Sequence, residues 1–254
     1  MTTATEVGAV HYEAGLTGQT VVVIGGSAGI GLETARQARA SGADVILAAR
    51  GPDRLAAAAA EVGAVSTAAF DVTDWAALDR FFGELPEVID HVMVTGPGPY
   101  YAPLAELDRE RAHLDFDRHI WLAVAIAQHA VGRVRPGGTL LFMGGTGGRS
   151  RGPGLSLIAA ATAAQPALIA NLAVEVAPIR VNLIAAGFVD TPLSAALLGD
   201  GLEARRAQLR ATLPTGRVVG PADVAALAVH IMTNTALTGG TYDIDGGQQL
   251  VPAG

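Results

Sequence analysis

The chain has 254 residues, long for one domain and short for two, and with 50% of them apolar its core needs no cross-link. It has no cysteine, which excludes disulfides, thiolate nucleophiles and cysteine-ligated metal, and all 17 of its basic residues are arginine. A net charge of −7 argues against a nucleic-acid partner, and the first 20 residues lack the basic start and apolar stretch of a secretory signal, so a cytoplasmic protein is expected.

Residues 21–25 are a continuous apolar run ending in glycines, and residues 32–40 then set Leu32, Ala35 and Ala38 on one helical face. A strand over 45–49, a helix opening at Pro52 and running to 61, a strand over 65–70 and a helix capped by Asp74 through 82 follow. The spacing next predicts a strand over 92–95, one long helix over 109–133, and a strand over 139–143 after Pro136-Gly137-Gly138. Residues 152–174 carry no charge. Pro153, Gln165, Pro166 and Asn171 interrupt them and Glu175 follows, which favours a buried helix over a membrane span. A strand over 180–184, helices over 202–213 and 222–232, and a strand over 241–244 complete the pattern.

Strands that are apolar throughout are buried on both faces, as a parallel sheet covered by helices requires. The alternation predicts one α/β domain over residues 1–254: a Rossmann-type, doubly wound parallel sheet of about seven strands with helices on both faces. The first dozen or so residues are expected to form a loose tail.

Gly25-Gly26-Ser27-Ala28-Gly29-Ile30-Gly31 joins the first strand to the first helix. Glycine is abundant here, so the pattern itself carries little, but its position carries more. A tight turn entering a helix N-terminus offers free N–H groups and a positive dipole end to a pyrophosphate. Where a carboxylate normally meets the ribose 2′-hydroxyl, about twenty residues on, the chain has Ala48-Ala49-Arg50. A guanidinium there favours a 2′-phosphate, so NADP(H) is preferred over NAD(H); the alternative is a solvated loop arginine.

From Val21 onward these features resemble the short-chain dehydrogenase/reductase family. Ile24 to Gly31 resembles its Thr-Gly-x-x-x-Gly-Ile-Gly loop with isoleucine for threonine, and Asp71-Val72 its adenine-contacting pair. Thr95-Gly96-Pro97-Gly98 stands where the family has Asn-Asn-Ala-Gly, and Ala186-Gly187-Phe188-Val189-Asp190-Thr191 resembles the stretch whose threonine bonds the nicotinamide amide. Cofactor contacts from Gly25, Ser27, Ala28, Gly29, Ile30, Gly31, Arg50, Asp71, Val72, Thr95, Gly96 and Thr191 are therefore expected. The resemblance also implies a homotetramer or homodimer packed through long central helices, acting on a small-molecule substrate.

The family's chemistry uses a Tyr-x-x-x-Lys pair, an upstream serine and often an asparagine, because the alkoxide formed by reduction must be protonated. In this chain Gly145 falls at the serine, Ile158 at the tyrosine, Thr162 at the lysine and His119 at or near the asparagine. No tyrosine lies between Ala102 and Thr241, and there is no lysine at all. Candidate replacements are His119, which titrates near neutrality, with Thr146 and Tyr101; each has a bland reading as a packed or turn residue. Arg149 and Arg151 are either a clamp for an anionic substrate or, the favoured reading, solvated or at a subunit interface. The histidines show no metal spacing, and no metal is expected. Three functions stay open: an NADP(H)-dependent oxidoreductase for a carbonyl, imine or enone with a non-standard proton path, a catalytically silent NADP(H)-binding sensor or partner subunit, or a non-redox activity built on the same scaffold.

Overall fold

Seven apolar runs pair side by side as parallel strands in a computed structural model that describes residues 15–96, 98–149 and 151–251. They are β1 (Thr20–Ile24), β2 (Asp44–Ala49), β3 (Ser66–Ala69), β4 (Ile89–Val94), β5 (Val134–Gly145), β6 (Arg180–Ala186) and β7 (Thr241–Ile244), in the order β3-β2-β1-β4-β5-β6-β7. The order reverses at β1, where Val22 pairs with Ile46 of β2 on one side and Val92 of β4 on the other. The carboxyl ends of the strands diverge there into a crevice.

Alternation within each buried strand feeds two cores. Val22 and Ile24 pack with Phe82, Leu122, Ile126 and Ile169, from α3 (Trp75–Glu84), α5 (Trp121–Ala130) and α6 (Ser156–Glu175). Val21 and Val23 pack on the other face with Ala35, Leu55 and Ile231, from α1 (Gly29–Ala40), α2 (Pro52–Val62) and α9 (Pro221–Thr233). α6 is long and apolar enough to cross a membrane by length and composition, yet it buries Ile158, Ile169 and Leu172 within the fold. The expected loose tail falls on residues 1–14, outside the described residues, whereas Leu16 is fully buried.

Two expectations need correction. The single helix over 109–133 is two helices, α4 (Arg109–His119) and α5, broken at Ile120 with φ −112° and ψ −61°. Helical spacing continues through the break, so the pattern hid it; the side-chain amide of Gln165 on α6 donates to the His119 carbonyl there, at 3.3 Å. The short helix α7 (Pro192–Leu198) was not anticipated, although Thr191 as N-cap and Pro192 at the first turn are its ordinary signature. The remaining helix is α8 (Leu202–Thr212).

Two buried cationic-type side chains hold the lower part of the sheet. Arg180, 5% exposed, donates to five carbonyls, those of Gly137, Ile231, Met232, Asn234 and Leu237. Burial lowers it to about 10, so it stays charged at neutral pH. His91, 1% exposed, bonds Gln19 Oε1 through Nε2 at 2.6 Å. Burial, with Arg180 and Arg135 nearby, pushes it down to about 3, so this ring is neutral.

Candidate functional site

The carboxyl ends of β1 to β4 open into one cleft enclosing about 1070 Å³ of space continuous with solvent. Gly25, Ser27, Ala28, Gly29, Ile30, Gly31, Arg50, Asp71, Val72, Thr95, Gly96 and Thr191 all line it. Glycine is required at two of these positions. Gly25 has φ +87°, and a Cβ there would lie 2.1 Å from Thr95 Oγ1; a Cβ at Gly31 would lie 2.4 Å from the Gly25 carbonyl oxygen. The Thr95 hydroxyl is within bonding reach of the Ile24 and Gly25 carbonyls, at 3.1 and 3.2 Å, and the Gly25 amide donates to Ala48 at 2.7 Å.

Helix α1 leaves this loop with Ala28 as its N-cap. Ala28 has no side-chain acceptor and the first turn holds no acid, so the leading N–H groups and the positive dipole end are left to an anion. A glycine-rich loop on a helix start with no capping side chain is a cradle that fits the diphosphate of a dinucleotide.

Two arginines stand beside the cradle. Arg50 is exposed at the end of β2, and Arg54, one turn into α2, donates from Nε to Ser27 Oγ at 3.3 Å. Arg54 was missed from sequence, although an arginine four residues beyond Arg50 at a helix start was signal enough. Burial would raise the Asp71 carboxyl, but bonds from Thr73 N and Oγ1 at 2.9 and 2.7 Å, with Arg50 and Arg118 nearby, hold it below its ordinary value. Thr191 Oγ1 accepts from Ser194 N at 3.2 Å, capping α7, and its methyl stands 3.5 Å from where a Gly29 Cβ would lie.

The reaction-side residues are dispersed. Gly145 ends β5; Thr146 is buried at the start of a 3₁₀ turn, Thr146–Arg149. Ile158 is buried on α6, and the Thr162 hydroxyl donates to the Ile158 carbonyl at 2.7 Å. Arg149 pairs through its guanidinium with Asp243 (Nη2 to Oδ1, 3.0 Å), an acid on β7 that sequence spacing could not place. Neither Arg149 nor Arg151 lines the cleft.

His119 and Tyr101 do converge, on Asp115, which is 3% exposed and was not anticipated. The Tyr100 amide donates to Asp115 Oδ1 at 3.1 Å. His119 Nδ1 lies 2.7 Å from the Asp115 carbonyl oxygen and 3.7 Å from its Oδ2. Burial pushes the Asp115 carboxyl up, against the pull of His119, the Tyr100 amide and Arg118. Burial and the Asp115 charge raise the half-exposed Tyr101 phenol, which makes it a poorer acid at neutral pH. His119 also lines a small cavity with Gly96, Arg118, Met143 and Gln165; Gly96 and Arg118 line the main cleft as well. Gln165 Oε1 is buried there without a hydrogen-bond partner, and a Cβ at Gly144 would meet it at 2.5 Å. No group of three or more metal-ligating side chains converges among the described residues.

Comparison with known proteins gives a consistent relation. The family model described as Enoyl-(Acyl carrier protein) reductase matches residues 14–249. Short-chain dehydrogenase/reductase malC of Malbranchea aurantiaca is 26% identical over 255 residues, covering 92% of this chain and 96% of its own. Its structure, that of MalC Reductase/Diels-Alderase, aligns with a TM-score of 0.84 over 92% of this chain and 98% of that one. Sorbitol dehydrogenase of Cereibacter sphaeroides is 32% identical over 92% of this chain and 99% of its own. A small-chain dehydrogenase solved in complex with NADPH is 27% identical, with a TM-score of 0.78 over 91% of this chain and 99% of that one.

Proposed function

The chain belongs to the short-chain dehydrogenase/reductase family, and from that premise we propose that it is an NADP(H)-dependent oxidoreductase reducing a small carbonyl, imine or enone. The observation that carries this reading is the glycine-rich, uncapped cradle at α1 with Arg50 and Arg54 beside it. The NADPH complex of a relative agrees with it. In this reading the amides of Gly29, Ile30 and Gly31 hold the diphosphate, and Arg50 and Arg54 hold the 2′-phosphate. Val72 flanks the adenine, and Thr191 lies toward the nicotinamide. Bound there, NADPH would supply the hydride.

Protonation must follow a path of this chain's own. The family's serine, tyrosine and lysine fall on Gly145, Ile158 and Thr162, and the sequence has no lysine at any position. An imine that arrives protonated needs no donor, whereas a carbonyl needs an acid within bonding reach. Among the candidates His119, Thr146 and Tyr101, the imidazole is the proton donor and the two hydroxyls are weaker acids. We place the protein in the cytoplasm as a homotetramer or homodimer, whose packing would cover the exposed Phe116 on α4 and Trp121 on α5.

Equilibrium binding of NADPH and NADH tests the cofactor half. Arg50→Ala is expected to weaken NADPH by about 10- to 100-fold, the worth of a charge-assisted phosphate contact, and to leave NADH unchanged. An unchanged NADPH preference would overturn the assignment of Arg50. Oxidation of NADPH with a panel of carbonyls, imines and enones tests the chemistry. Tight binding without turnover would favour the silent module instead.

A further inference from the structure

We propose that Asp115 and His119 act as a pair that delivers the proton to a carbonyl substrate, with His119 Nε2 as donor and Asp115 as the positioning carboxylate behind it; this rests on the reductase reading above. The two residues are one turn apart on α4, and His119 Nδ1 lies 2.7 Å from the Asp115 carbonyl oxygen. A carbonyl oxygen can only accept, so Nδ1 keeps its hydrogen in both charge states. The titrating proton is therefore on Nε2, which has no hydrogen bond to another described residue.

Charge and position add to that tautomer. Asp115 Oδ2 stands 3.7 Å from Nδ1 in a site where Asp115 is 3% exposed, so a negative charge on it favours the imidazolium with little screening. The Tyr100 amide on Oδ1 fixes the carboxylate. The charged and titratable groups around the pair are few. Arg118 on α4 acts on the Asp115 carboxyl, Arg111 lies 4.7 Å from the Tyr100 ring centroid, and Tyr101 is neutral at pH 7; α6 contributes only the uncharged Gln165. The break at Ile120 and the bond from Gln165 to the His119 carbonyl fix the backbone that carries the ring. His119 lines a small cavity that adjoins the cleft, Gly96 and Arg118 being common to both linings.

The step balances. The carbonyl carbon receives the hydride of NADPH and the carbonyl oxygen receives the Nε2 proton, leaving an alcohol, NADP⁺ and a neutral imidazole that solvent reprotonates. Rate therefore requires the imidazolium, and kcat/KM for reduction falls as pH rises through the His119 midpoint.

The experiment follows the His119 ring by NMR in the full chain, assigned by the signal lost in His119→Gln, alongside kcat/KM against pH and NADPH affinity by fluorescence. Asp115→Asn is expected to move the ring's NMR titration and the alkaline limb of kcat/KM together to lower pH. Asp115→Glu keeps the charge and should move both back toward wild type. His119→Gln should remove that limb and lower kcat by about 100-fold, with NADPH affinity unchanged in every variant. A midpoint unmoved in Asp115→Asn, or a limb that persists in His119→Gln, would overturn the pair while leaving the reductase reading intact. If Asp115→Asn does not fold, the limb in His119→Gln and Asp115→Glu decides. NADPH binding with no carbonyl turnover in wild type would instead sink the reductase reading and the pair with it.

Discussion

At the ends of β1 and β2 the cleft is made of main chain: glycines that admit no Cβ, a helix start without a capping side chain, and a threonine hydroxyl bonded to loop carbonyls. Beside it, at the ends of β4 and β5, a small cavity and its surroundings are made of side chains that meet from separate elements, with Asp115 and His119 on α4, Tyr101 on a loop and Gln165 on α6. A main-chain site is set by backbone geometry and tolerates most sequence change that spares its glycines. A side-chain site can lose its chemistry one residue at a time without disturbing the fold. Gripping a nucleotide and moving a proton are thus separable properties of this scaffold.

The strongest way to break that contrast is to put a side chain into the main-chain region. Gly31→Val forces atoms against the Gly25 carbonyl and should weaken NADPH by at least about 100-fold in a fluorescence titration, near 2.7 kcal/mol, with the far-ultraviolet circular dichroism retained. Affinity within threefold of wild type would show that the loop does not contact the nucleotide.

Two histidines sharpen the contrast between regions. His119 sits beside a carboxylate, whereas His91 in β4 is buried with Arg180 and Arg135 nearby and lowered to about 3. Its folded value lies below its unfolded value of 6.5, so the unfolded chain takes up the proton first. The stability it confers is complete above pH 6.5 and is lost as pH falls toward 3. Urea midpoints should record a loss of about 2 kcal/mol between pH 6.5 and 5, and His91→Gln should flatten that slope. A slope identical in the variant would mean that His91 is not the group responsible.

The smallest effect concerns Arg54. Its Nε is engaged by Ser27, so Arg54→Ala should weaken NADPH by about fivefold, roughly 1 kcal/mol, and leave NADH alone. Equal losses for the two nucleotides in calorimetry would assign Arg54 to the loop's shape and not to the 2′-phosphate.

Periodicity and punctuation were enough for the sheet. The run at Thr241–Ile244 and the Asp74 cap, which accepts from Ala77 N at 3.0 Å, stand where pattern alone puts them. The cradle was legible for the same reason, being a local feature between one strand and the next helix. Asp115 was missed although its spacing from His119 is local, because an acid on a polar helix face looks solvated until the fold buries it. The Gln165–His119 bond spans 46 residues, and the break it accompanies keeps helical spacing, so no window along the chain contains it. The ion pair of Arg149 was not legible because its partner, Asp243, lies 94 residues away on β7.

The five-carbonyl grip of Arg180 also bears on how the molecule comes apart. β7 is an edge strand of four residues, the kind that ordinarily frays, yet the turn leading into it and the end of α9 are moored to a cation inside the sheet. Peeling that segment away would strand a guanidinium among apolar side chains. The C-terminal helix and strand should therefore exchange their amide hydrogens only when the whole sheet opens, and proteases should find no early foothold in the turn between them.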